Sequence, residues 1–196
     1  DLLSAKLDEF HGGLDPKKVD EWLEQTVKTF DMLHIDDGKL RVTLASYYLK
    51  GDAGQWCKYA KGRVTPTWEA FVMAFQDKYL PPTARERLRQ EFQDLKQLNM
   101  SVAEFEVAFS SLSRFAPELV VTEERRCIEF EKKLQTKILF KVAGNMIWNY
   151  DRLVKAAAYV EITEEERIRG SRARGQGSQG DYRPNKKSRN TFSSQS

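Results

Sequence analysis

The strongest chemical signal in the chain is a run of cations near its C-terminus. Arg167, Arg169, Arg172, Arg174, Arg183, Lys186, Lys187 and Arg189 stand against one acid, Asp181, so residues 167–196 carry +7 while residues 1–166 carry −4. Guanidinium and ammonium groups at this density, interleaved with Gly, Ser, Tyr182 and Phe192, suit the phosphate backbone of a single strand, with occasional base stacking. The pattern supplies charge rather than sequence-specific reading, because no helix-turn-helix or finger is legible. A solubilising or nuclear-targeting tail is the alternative, and Lys186-Lys187-Ser188-Arg189 is a weak signal of that second kind. On charge, nucleic acid is favoured.

Other groups that could do chemistry lack the company they would need. His11 and His34 have no partner at ligand spacing, so each reads as a capping or surface histidine rather than a metal ligand. Cys57 and Cys127 are too few for a disulfide scaffold or a four-cysteine metal site. Each falls on an apolar helical stripe, where a thiol is buried and inert. There is no Gly-rich phosphate loop ending in Lys-Ser/Thr, no Gly-x-Ser-x-Gly elbow and no Asp-Thr/Ser-Gly triplet. Glu164-Glu165-Glu166 reads as a solvated helix face. Catalytic residues are therefore assigned to none, and no small-molecule substrate is expected.

The elements that must carry these residues are helices. The chain has 196 residues, 40% hydrophobic and 31% charged, with no apolar run near the ~18 residues of a membrane span. Asp15-Pro16 starts a helix whose face is Val19, Trp22, Leu23, Val27 and Phe30. A second starts near Asp36-Asp37, burying Leu40, Leu44, Tyr47 and Tyr48, with Gly51 just past its end. A third holds Ala53, Trp56 and Tyr59. Thr67 caps a fourth with Trp68, Phe71, Val72, Phe75 and Tyr79, and Leu80-Pro81-Pro82 stops it. A charged segment over 83–97 follows, then a capping box at Ser101…Glu104 before Val102, Phe105, Phe109 and Leu112. Thr122 caps the next helix, with Cys127, Ile128 and Leu134 on its face. A short helix over 138–146 and a last one capped by Asn149, with Leu153, Ala156, Ala157 and Val160, complete the body. Trp22, Trp56 and Trp68 lie on these stripes and read as core. Trp148 is unassigned.

No strand pattern and no fixed repeat is present, so the fold class is all-α. The double proline divides the body into helical lobes over 1–80 and 81–166, each with its own small core. From Gly170 onward apolar residues almost vanish, and residues 167–196 are expected to be a disordered Arg/Gly/Ser-rich tail. A start at Asp1 without a basic-then-apolar leader predicts a fragment or processed piece without a secretory signal, and unpaired cysteines suit the cytoplasm.

The order of several short motifs carries a family resemblance. They run Phe10-His-Gly-Gly-Leu-Asp15-Pro16, Trp22-Leu23, Phe30, Leu44-Ala45, Leu49-Lys50-Gly51-Asp-Ala53-Gly-Gln-Trp56, Thr67-Trp68-Glu69-Ala-Phe71, Phe75 and Tyr79-Leu80-Pro81. Glu91-Phe92, Leu95, Gln97, Ser101-Val102-Ala-Glu104-Phe105, Phe109, Leu112 and Arg114-Phe115-Ala116-Pro117 follow. Together they resemble the gag domain of LTR retrotransposons, most closely the gypsy class of plants. Three positions depart from it: Cys57 stands where the family often has Trp, Gln97-Leu98 where it has Gln-Gly, and Lys133-Leu134 where it has Gly-Leu.

The resemblance implies two capsid-like lobes that self-associate into a shell around element RNA, with the basic tail inside. It makes Trp22, Leu49, Gly51, Ala53, Trp56, Trp68, Phe71, Phe75, Tyr79, Phe105 and Phe109 the family-motif core. It implies partners of two kinds, further copies of this chain and single-stranded RNA, and no membrane. It implies no cofactor within the chain, since the family's zinc knuckle is expected only beyond Ser196. A host-adopted or relic gag that binds nucleic acid without assembling is the alternative.

Overall fold

Polar side chains at helix starts satisfy backbone N–H groups that have no partner inside the helix, and they punctuate this chain. In the structure, a computed structural model that describes residues 7–176, Asp15 accepts from Lys17 N at the head of α1 (Pro16–Met32). Asp37 does so for α2 (Gly38–Tyr48), which is followed by α3 (Gly51–Lys61). Thr67 caps α4 (Trp68–Tyr79), and Pro82 is the first residue of α5 (Pro82–Asp94). The Ser101–Glu104 capping box opens α6 (Val102–Ser113). After a 3-10 turn at Pro117–Leu119, Thr122 caps α7 (Glu123–Lys133). Then come α8 (Thr136–Val142), a 3-10 turn at Ala143–Asn145, and α9 (Tyr150–Gln176), where Asn149 Oδ1 accepts from Arg152 N at 3.0 Å. No strand occurs among the described residues. One parallel bridge, Phe10 to Leu49, ties the N-terminal arm to the junction between α2 and α3.

Four expectations are corrected. Leu40 and Tyr47 of α2 are exposed, and Ala45 is the one residue of that helix wholly removed from solvent. The reason is helical period: Leu40 and Tyr47 stand roughly 200° around the helix from Ala45, so they face away from the α3 and α4 side. At the α2–α3 junction, a Cβ on Gly54 would stand 2.9 Å from the Leu49 carbonyl oxygen. Gly51 does not end α2. The backbone leaves that helix at Leu49 to pair with Phe10, and Gly51, at φ +51°, begins α3 instead. Tyr59 is likewise exposed. Finally, α9 continues through residues 167–176, so the first part of the expected disordered tail is helical. Opposite charges three residues apart, Glu164 and Arg167, support these turns where apolar contacts are thin. Residues 177–196 lie outside the described residues.

His34 holds the left-handed position after α1, at φ +53°. Its N–H donates to Asp31 O, and Ile35 N donates to Phe30 O at 2.9 Å, the paired closure that glycine usually makes.

Aromatic rings fill the interior in two sets. Phe10, Trp22, Trp56, Phe71, Phe75 and Tyr79 interlock at centroid distances of 5.1–6.4 Å, and Trp68 joins Phe30 to Phe71. Phe92, Phe105, Phe109, Phe130 and Tyr150 form the second set. No ring pair joins the sets among the described residues, although the buried apolar residues form one continuous cluster. Such edge and offset contacts each add about 0.5–1.5 kcal/mol beyond area burial.

Polar groups fasten the second half. Lys133 is buried, and its Nζ donates to the carbonyls of Phe92 and Gln93 at 2.8 and 2.9 Å, capping the last turn of α5. Burial pushes its ammonium below the usual lysine range. Gln97, also buried, donates from its backbone to Lys133 O and accepts from Gln135 N through its side chain. Glu161 of α9 accepts from Val102 N, at the positive end of α6.

Two predictions follow from this packing. Gly54→Ala forces a Cβ against the Leu49 carbonyl and lowers unfolding free energy by about 1–3 kcal/mol in a urea titration; an unchanged midpoint would contradict the close approach. Burial raises the Tyr150 hydroxyl to about 12. An unfolded tyrosine ionises near 10, so the unfolded chain loses this proton first. Stability therefore falls as pH rises from about 10 to 12. Tyr150→Phe should flatten that fall, as read from thermal midpoints across the window.

Candidate nucleic-acid interface

The eleven motif residues occupy the scaffold rather than a solvent-facing site. Trp22 is buried, and its indole N–H donates to Asp8 O at 2.7 Å. Ala53, Phe75, Phe105 and Phe109 are wholly buried; Leu49, Trp68 and Phe71 are nearly so. Trp56 and Tyr79 are half-buried and meet edge-on at 5.5 Å, and Gly51 turns the chain into α3. Apolar rings without unpaired polar groups hold helices in place and present no reactive centre.

The thiols and histidines behave as the sequence suggests. Cys57 and Cys127 are buried and unbridged, and burial pushes the Cys127 thiol up, away from a nucleophilic thiolate. His11 lies 3.4 Å from exposed Glu9, and His34 serves the helix end. Among the described residues, no three metal-ligating side chains come together. None of the described helices is long and apolar enough to cross a membrane.

The basic residues separate into distinct environments. Arg167 donates to Glu164 at 3.1 Å, and the same carboxylate accepts from Lys141 of α8. Those hydrogen bonds, Lys141 first, hold the buried Glu164 carboxyl below its usual range. Glu164 thus fastens α9 to α8 through Lys141, and Arg167 pairs with the same carboxylate within α9. Arg169, Arg172 and Arg174 are exposed, with no ion-pair partner among the described residues. The helical period sets Arg169 and Arg172 on one side of α9 and Arg174 roughly opposite, so the arm presents charge to two sides. Arg183, Lys186, Lys187 and Arg189 lie outside the described residues.

Several important groups were not singled out from the sequence. Arg114, after α6, donates to Asp20 of α1 at 2.6 Å and to Glu24. It is the one ion-paired link between residues 7–80 and 81–176 among the described residues. Lys28 first, then Arg114, draws the Glu24 carboxyl below its usual range. The i,i+4 spacing of Glu24 and Lys28 is visible in the sequence; the partner 90 residues away is not. Trp148 is half-exposed beside Met146, in the turn before α9.

Comparison with known proteins supplies a family. The model of the Ty3 transposon capsid-like protein family matches residues 2–181. Among solved structures, the chain is similar to a dARC1 capsid domain dimer at 19% identity and a TM-score of 0.38, over 83% of this chain and 99% of that one. No curated protein sequence matches. A family match running from before the first ring set to beyond the end of α9 leaves one assignment: the chain belongs to the Ty3 transposon capsid-like family and is a gag capsid domain of the gypsy class.

Proposed function

We propose that this chain is a structural gag protein that self-assembles into a capsid-like shell and packages element RNA through its basic C-terminal segment. The observation that carries the reading is the family match over residues 2–181. The segments before and after Pro81-Pro82 act as two lobes, each built on its own set of aromatic rings, and this joint lets them make different contacts in a closed lattice. The protein acts by assembly rather than catalysis, in the cytoplasm, without a bound cofactor. Support for RNA packaging comes from Arg169, Arg172 and Arg174, exposed on the outer turns of α9 with no ion-pair partner among the described residues. Arg183, Lys186, Lys187 and Arg189 would add charge to the same segment.

Static light scattering on the full chain, with and without single-stranded RNA, tests the reading. RNA should drive growth to very large particles at low salt. Substituting Gln for Arg169, Arg172 and Arg174 together should lower the salt dependence of RNA binding by about 2 in log–log slope, at ~0.7 per phosphate contact. Arg167→Gln should leave that slope unchanged, because Arg167 serves Glu164. A monomer that binds RNA without growing would overturn assembly, and a chain that does not bind RNA would overturn packaging.

A further inference from the structure

A second cationic surface lies on the globule itself, hidden in the overall charge. Between Gly38 and Thr65 six basic residues meet one acid, Asp52, within a body whose net charge is −4. Arg41 is already engaged, donating to Asp31 and to the Ile35 carbonyl. The remaining lysines gather along the crevice between α2 and α3. Two depressions of about 280 and 350 Å³ share Thr43 and Lys61, forming one groove. Lys39 and Lys61 flank one end, and Lys58 and Lys61 the other. None of the three has an ion-pair partner among the described residues, and no carboxylate lines the groove.

The groove also carries what a nucleotide strand needs besides charge. Thr43 and Ser46 line the α2 wall, their hydroxyls donating to the Lys39 and Val42 carbonyls. Tyr47, 68% exposed, stands at the edge, and Lys50 Nζ lies 4.2 Å from its ring centroid. With the cation over one face of the ring and the residue largely exposed, the ring suits a base and the cation the phosphate beside it. An acidic face of a second copy would find charge here too. It would leave an exposed aromatic ring without a stacking partner, so the strand is favoured.

We infer that the α2–α3 groove binds single-stranded nucleic acid, with Lys39, Lys58 and Lys61 on phosphates and Tyr47 stacking on a base. The site is separate from the arginines of α9. It deepens the RNA-binding half of the proposed function, rests on that half, and is independent of shell assembly.

The test uses the full chain and a labelled oligouridine, read by fluorescence anisotropy across a salt series. Lys39→Gln, Lys58→Gln and Lys61→Gln combined should lower the log–log salt slope by about 2. Tyr47→Ser should weaken binding at least about fivefold with the slope unchanged, since stacking carries no counterions. Thermal midpoints confirm that these exposed substitutions leave the fold intact. As a second readout, a 4-thiouridine strand should crosslink to the peptide that contains Tyr47.

Other outcomes separate the claims. If the unmodified chain binds RNA and the groove variants match it in affinity and slope, the groove inference falls while the α9 reading stands. If the unmodified chain does not bind RNA, both fall. If the lysine variant instead loses RNA-free self-association at unchanged RNA slope, the groove receives a second copy and the inference is overturned.

Discussion

Everything in this chain hangs on rings that must be kept dry. Phe75 touches Phe10, Trp22, Trp56, Phe71 and Tyr79, and it is wholly buried. Phe109 plays the same part for Phe92, Phe105, Phe130 and Tyr150. Short helices of 7 to 17 residues, as α1 to α8 are, do not persist alone in water. Each stands because it lends apolar side chains to one of these assemblies. The interior is thus committed to packing.

Backbone ends set the second constraint. A cluster of short helices buries many helix termini, each with unsatisfied N–H or C=O groups. Lys133 meets two carbonyls at the end of α5, and Glu161 meets the first N–H of α6. Gln97 ties both to the loop before α8. Lys133 makes this helix-end contact at the cost of burying an ammonium. Arg114 does for the two halves what Lys133 does within one of them, at a more exposed site that salt can weaken.

The sequence made local chemistry legible. Caps at Asp15, Thr67, Ser101 and Thr122 are read from one residue and its neighbours, and the structure has each of them. Helical faces with Trp or Phe at three- and four-residue spacing were equally clear. What stayed hidden depended on distant partners. The outward turn of Leu40 and Tyr47 follows from the side on which α3 and α4 meet α2. The role of Gly51 follows from a bridge to Phe10. The helical state of residues 167–176, which carry four arginines and no acid, was overlooked by a count of apolar residues. The cations of α9 announced themselves through composition, whereas those between α2 and α3 vanished into a body that sums to −4.

A dry, ring-filled scaffold, an α9 arm that presents arginines outward and membership in the Ty3 capsid-like family support the proposal of a shell-forming subunit. Electron cryomicroscopy of the full chain mixed with single-stranded RNA at low salt tests that account most directly. It predicts closed particles whose wall resolves into two layers of helical density, one from each side of Pro81-Pro82, with RNA density inside. Dispersed protein coating the RNA, with no closed wall, would contradict it.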